Sequence, residues 1–298
     1  MNDQPELQQL AEDVWAYIQP DGGWMINNMG LIAHPDGLTS VDVTSTERRT
    51  LDYLDAIEAT VGGRVQRLVL THAHPDHCNG ASLLPEAEII AHRSVADELR
   101  APHTLAPHIF TPFDQGSVAP RPPTVVFDQA VTIAPGDRPI EVRHPGTIAH
   151  TSGDSYVWLP AERVLFTGDL VFNGGTPFAL SGSLRGWQQA LDDLAALDPV
   201  TVVPGHGPVG GPELFEPVRA YLSFVVAAAA DADRHGLCPL DAARGLDLGP
   251  FSRWPERERI VGNLHRAIAE RSGTEVDIPK AWQDMYEYNG GSPLDCHA

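Results

Sequence analysis

With 298 residues, 42% of them hydrophobic, the chain can bury a full core and lies far from the composition of disordered segments. Its 40 acidic against 20 basic residues leave a formal charge of -20, which repels phosphate backbones and anionic lipid, so neither nucleic acid nor a membrane is an expected partner. Three scattered cysteines (Cys78, Cys238 and Cys296) and a start lacking a basic-then-apolar leader point to a reducing, cytoplasmic setting.

In chain order, β-branched and apolar runs predict strands over 14–18, 24–32 and 38–43, the last two joined by the turn His34-Pro35-Asp36-Gly37. Thr44-Ser45-Thr46-Glu47 has the pattern of a capping box and opens a helix whose apolar face is Leu51, Leu54, Ile57 and Val61. Strands follow over 67–70 and 88–91, then a helix over 93–100. Residues 101–123 hold six prolines and little periodicity, which predicts a long surface loop of the kind that often covers a site. Further strands are expected over 140–143, 156–159, 164–166 and 201–203, and helices over 184–197, 212–230 and 256–271. The pattern repeats after about residue 125, so we expect a layered α/β protein of two β-rich halves with helices outside. Residues 1–215 form the expected core, and 216–298 add helices and a tail, with Trp282, Tyr286 and Tyr288, packed on it.

Chemistry concentrates at strand ends. His72, His74, Asp76 and His77 fall within six residues directly after the strand 67–70. Residues two apart in an extended segment point the same way, so His72 and His74 can share one metal, while a turn at Pro75 swings Asp76 and His77 toward a second. Asp169 and His206 follow the strands 164–166 and 201–203. For a third imidazole His150 competes with His144, and His150 is favoured because Asp154 stands nearby to support it. Imidazole and carboxylate donors in this number make a dinuclear inventory, best suited to two zinc ions, with iron or manganese as alternatives. Lys280 is the only lysine, and no Gly-x-Ser-x-Gly elbow occurs, so a metal-bound hydroxide is the expected reactive species.

The order His72-x-His74-x-Asp76-His77, His150, Asp169, His206 resembles the metallo-β-lactamase superfamily over residues 10 to 215. That resemblance implies a four-layer αββα sandwich with metals at the strand ends. It implies His72, His74 and His150 on one ion, Asp76, His77 and His206 on the other, and Asp169 bridging. The segments 22–30, 176–184, 203–214 and 258–270 are similar to the metal-dependent aromatic polyketide cyclases of the actinorhodin second-ring class. This implies an intramolecular aldol closure, with Asp76 or hydroxide removing a methylene proton, on a small molecule that an acyl carrier protein could deliver. Trp24, Met25, Phe172 and Phe178 are the candidate apolar walls for substrate, and Arg48, Arg49, Arg121 and Arg185 the basic residues that a carrier would meet. The alternatives are hydrolysis of a thioester, lactone or β-lactam, and a mononuclear iron oxygenase acting on a sulfur substrate. Gly205-x-Gly207-x-x-Gly210 is broken by prolines and reads as a turn around His206, Cys78 reads as packing, and His103 and His108 read mainly as surface histidines.

Overall fold

The computed structural model of the chain describes residues 4–100, 108–133 and 138–298. Seven strands form the first sheet in sequence order: β1 (Glu6–Ala11), β2 (Val14–Ile18), β3 (Met29–His34), β4 (Gly37–Val41), β5 (Val65–Leu70), β6 (Glu88–His92) and β7 (Val125–Phe127). The first four strands are mutually antiparallel, and pairing turns parallel from β4 onward. The second sheet contains β8 (Ala130–Ile133), β9 (Ile140–Arg143), β10 (Tyr156–Leu159), β11 (Val164–Phe166) and β12 (Thr201–Val203), in the spatial order β12-β11-β10-β9-β8. Its strands are antiparallel except for the β11/β12 pair.

Side-chain alternation sorts these strands into layers. Val14 and Ala16 of β2, Val69 of β5, Val164 and Phe166 of β11 and Val203 of β12 face one another between the sheets. The alternate residues Trp15, Tyr17, Leu68 and Leu70 pack outward under α1 (Glu47–Thr60). On the opposite side Trp158, Leu165 and Val202 lie against α4 (Leu184–Ala195), after the short helices α2 (Pro75–Cys78) and α3 (Arg93–Glu98). Helix, sheet, sheet, helix is the αββα order expected from the sequence.

Beyond the sheets come α5 (Phe215–His235), α6 (Pro239–Gly245), α7 (Arg259–Ser272) and α8 (Ile278–Tyr288), whose apolar faces join the core of the second sheet. The end of the chain is strapped down: Leu294 N–H donates to Ile109 O (2.7 Å), Thr111 N–H to Leu294 O (2.9 Å) and Cys296 N–H to Thr111 Oγ1 (2.9 Å). Its last links are His297 to the Asp21 carboxylate (2.7 Å) and Arg49 to His297 O (2.7 Å). No described helix is long and apolar enough to cross a membrane.

Two expectations need correction. Residues 24–28 are not strand, because Met25 adopts a left-handed φ of 65° and the backbone N–H groups of Ile26 and Asn28 donate to Gly23 O (3.0 Å) and Gly205 O (2.7 Å) instead of a neighbouring strand, while the Asn27 and Asn28 side-chain amides reach Val43 O, Pro204 O and Gly207 O. The capping box does not close: Thr46 caps α1 by accepting from Arg49 N–H (3.4 Å), while the Glu47 carboxylate reaches forward to Ser117 N–H (2.7 Å). The described part of the 101–123 loop is, as expected, irregular and mostly exposed, although Ile109 and Phe110 are buried beneath the C-terminal strap and Val118 is buried as well.

Candidate metal centre

Seven side chains converge where the two sheets open. His72 and His74 follow β5, and Pro75 starts the single turn α2, which rotates Asp76 and His77 to the other side of the cleft. His150 comes from the loop before β10, Asp169 from a 3₁₀ turn after β11, and His206 from the turn after β12. His72, His74, His150 and Asp169 form one group and Asp76, His77 and His206 another, with the donor atoms of each within 4.8 Å of one another.

The rings are aimed by what holds their outer nitrogens. His150 Nδ1 donates to Phe178 O (2.7 Å) and His206 Nδ1 to Gly22 O (3.1 Å), which aims each Nε2 inward at the cluster. His72 Nε2 and His150 Nε2 approach His74 Nδ1 to 3.1 and 2.9 Å. Asp169 lies between the groups: Oδ1 is 3.1 Å from His77 Nε2 and 3.3 Å from His206 Nε2, and Oδ2 is 3.4 Å from His150 Nε2. Gly205 permits this placement, because a Cβ there would stand 2.0 Å from Asp169 Oδ1.

One member escaped the sequence reading. Asp42, just past β4, is 2% exposed and adopts a left-handed φ of 61°. Its carboxylate accepts from His77 Nδ1 (2.8 Å), Thr71 N–H (2.7 Å) and Thr71 Oγ1 (2.7 Å), and Thr71 Oγ1 in turn faces His72 Nδ1 (3.1 Å). A single buried carboxylate therefore orients a ring in each group. An acidic residue at a strand end was its only sequence signal.

Charge is divided unequally. Burial, reinforced by neighbouring imidazoles, drives His72 well below its ordinary range and His150 down to about 3, so the first group presents neutral rings. Burial opposes charge in the second group too, but Asp169, Asp76 and Asp42 outweigh it at His77, held well above its range, and Asp169 and Asp76 raise His206 to about 9. The same attraction overcomes burial at Asp76, which falls to about 2. His77 Nε2 and Asp169 Oδ1 nevertheless remain buried without a hydrogen-bond partner. Orphaned donor atoms beside converging lone pairs and carboxylates are what a cation at each group would satisfy, and the all-nitrogen-and-oxygen set suits zinc.

A cavity of about 340 Å³ opens on both groups, and Trp24, Met25, Phe172 and Phe178 all line it, together with Trp282 of α8. Phe172 stacks flat on His206, centroids 5.1 Å apart, and Met25 is held at a positive φ of 65°. His144 lies elsewhere, stacked on His92 at 4.1 Å. Asp154 supports His150 through the backbone, accepting from Thr151 N–H and Oγ1 and from the main chain of His150, while the His150 ring itself is held by Phe178 O. Cys78 packs with its thiol against Ala73 O, and His108 meets Tyr286 away from the cavity. His103 lies outside the described residues. Of the four arginines, Arg49 is engaged by Gln19 and the strap, Arg121 donates to Leu84 O, Arg48 stands beside Asp52 on the surface and Arg185 is exposed.

Comparison with known proteins agrees with this architecture. A protein of Bacillus cereus named Metallo-beta-lactamase type 2 is 24% identical over 213 residues, covering 68% of this chain and 77% of its own. The 2,4-dinitroanisole O-demethylase subunit alpha of a Nocardioides strain is 27% identical over 222 residues, covering 72% of this chain and 60% of its own. Among solved structures, a metallo-beta-lactamase from Pontibacter korlensis superposes with a TM-score of 0.61 at 22% identity, over 74% of this chain and 99% of that one. The profile of the metallo-beta-lactamase superfamily matches residues 22–206, from the loop that carries Trp24 to the final histidine of the cluster. Fold, ligand order and sequence profile coincide on one lineage, and the chain belongs to the metallo-beta-lactamase superfamily.

Proposed function

We propose that this metal-dependent enzyme of hydrolase type acts on a carbonyl compound with an aromatic or ring-forming skeleton, by intramolecular aldol closure of a poly-β-ketone. The observation that carries this is the cavity, whose walls at the metal groups are Trp24, Phe172, Phe178 and Trp282. Apolar, ring-lined space suits a folded polyketide better than a small polar ester. The Nocardioides relative, named for an aromatic ether, supports the same kind of substrate.

Two zinc ions, held by His72, His74 and His150 on one side and Asp76, His77 and His206 on the other with Asp169 between, would supply Lewis acidity and water of pKa about 7. The chain's own residues do the rest. Phe172 and Trp24 exclude water and hold the skeleton beside the cluster. Asp76, ionised far below neutrality, takes up a methylene proton only when the adjoining ketone is strongly polarised. Three free thiols fit a reducing cytoplasm, and an acyl carrier protein remains the proposed donor of a tethered substrate.

Hydrolysis of a thioester, lactone or β-lactam is the second reading, favoured by the names of the relatives. A mononuclear oxygenase is disfavoured by the completeness of the second group. The deciding experiment offers purified protein a poly-β-ketone thioester beside simple thioesters, lactones and a β-lactam. Ring-closed product from the first, with rates at least tenfold lower on the rest, supports the cyclase; turnover confined to the panel overturns it.

A further inference from the structure

The family match ends at residue 206, yet the cavity is completed by residues well beyond it. Among the described residues lining it, Arg259, the first residue of α7, is the only Lys or Arg. It is 2% exposed. Its guanidinium carbon sits 3.9 Å over the ring of Trp24 and 5.6 Å from that of Phe172, the ring stacked on His206. Nη1 donates to Thr176 O (2.7 Å), and Nη2 lies 2.8 Å from Glu256 Oε2.

This partnership is incomplete. Arg259 Nε is buried without an acceptor, and Glu256 Oε2, despite its closeness, makes no hydrogen bond. Glu256 stands on a left-handed backbone, φ 57°, and burial pushes its carboxyl upward, which weakens it as a counterion. A buried cation with a free N–H, at the wall of a cavity lined otherwise by the metal-ligand cluster and by aromatic and apolar side chains, is a ready partner for an acceptor that arrives with a ligand.

We propose that Arg259 is the recognition cation of this cavity, selecting substrates that carry a carboxylate on a ring-bearing skeleton. This rests on the reading of the cavity as the substrate site. The guanidinium fork matches the two oxygens of a carboxylate, and the Trp24 face beneath it fixes the fork and offers the adjoining ring a surface. Glu256 acts as the place-holder that the incoming carboxylate partly displaces. A merely structural Arg259, tying α7 to Thr176, would show no such selectivity.

The test uses the protein as purified, with its metal content measured, and follows binding of 2-naphthoate and 2-naphthamide by calorimetry. Wild type should bind the carboxylate at least tenfold more tightly than the amide. Arg259→Met should abolish that preference with metal content unchanged, and Arg259→Lys should keep part of it. Glu256→Gln should tighten 2-naphthoate several-fold and leave 2-naphthamide unmoved, and that gain should shrink when Glu256→Gln is combined with Arg259→Lys, whereas a carboxylate bound only to the metals would keep it. Should Arg259→Met not fold, Glu256→Gln and Arg259→Lys decide the matter. A preference that survives in Arg259→Met, a Glu256→Gln variant that binds both alike, or no preference in wild type would overturn the proposal. Selective binding without turnover of any carbonyl substrate would instead sink the proposed reaction and leave Arg259 as the recognition group.

Discussion

Asp42 shows how much a site depends on a residue outside both groups of converging donors. It fixes His77 directly and His72 through Thr71. Asp42→Ala should lower the affinity of the second group for zinc by about 10- to 100-fold, read by competition with a chromophoric chelator, while the three-histidine group loses less. The histidines were legible in the sequence because four ionisable residues crowd one strand end. Asp42 was not, because its role depends on a left-handed turn that brings it under Thr71 from 29 positions away. Charge at the cluster also sets a pH dependence. Without an ion His206 keeps its proton to about 9 and His77 well above its usual range, so both are charged at neutrality and a metal must displace both protons. Zinc uptake at pH 7 should release about two protons per chain, and affinity should fall as pH drops from about 9 toward 6. Calorimetry in buffers of different ionisation enthalpy measures this; uptake without proton release would contradict it.

Elements are positioned by close backbone contact as much as by apolar burial. The N-terminus of α4 presses on the loop that carries His150: a Cβ at Gly182 would stand 1.9 Å from Ala149 O and 2.5 Å from His150 O. Gly182→Ala should therefore displace that loop, destabilise the protein by about 1–3 kcal/mol and lower the zinc content of the three-histidine group. Urea unfolding together with elemental analysis tests both effects, and a stable variant with full zinc would show that the loop yields freely. Strands buried on both faces, such as β11 and residues 68–70 of β5, announced themselves by apolar runs. β1 did not, since a half-exposed edge reading Glu-Leu-Gln-Gln-Leu-Ala has little to distinguish it from loop. α8 was hidden by a proline that, placed at its second position, starts the helix instead of breaking it.

At the scale of the molecule, one sheet's half contributes His72, His74, Asp76 and His77, and the other contributes His150, Asp169 and His206. Ions held between them oppose separation of the halves. A chelator should accordingly lower Tm, on the order of 10 °C for zinc present a thousandfold above its Kd, and readdition should restore it. An unchanged Tm would mean that the buried carboxylates and imidazoles neutralise one another well enough without metal. The same division dictates an order of events. Four of the seven donors lie in one short stretch, and so can seize an ion while the chain is still open, whereas the full set exists only after the sheets have docked. Zinc present from the start of refolding should then slow recovery of native protein relative to zinc supplied afterwards, because an ion taken by the first half alone can recruit the wrong partners. Timing of metal delivery thus becomes a property of this fold, and equal refolding rates under the two regimes would show that residues 72–77 capture nothing until the second half arrives.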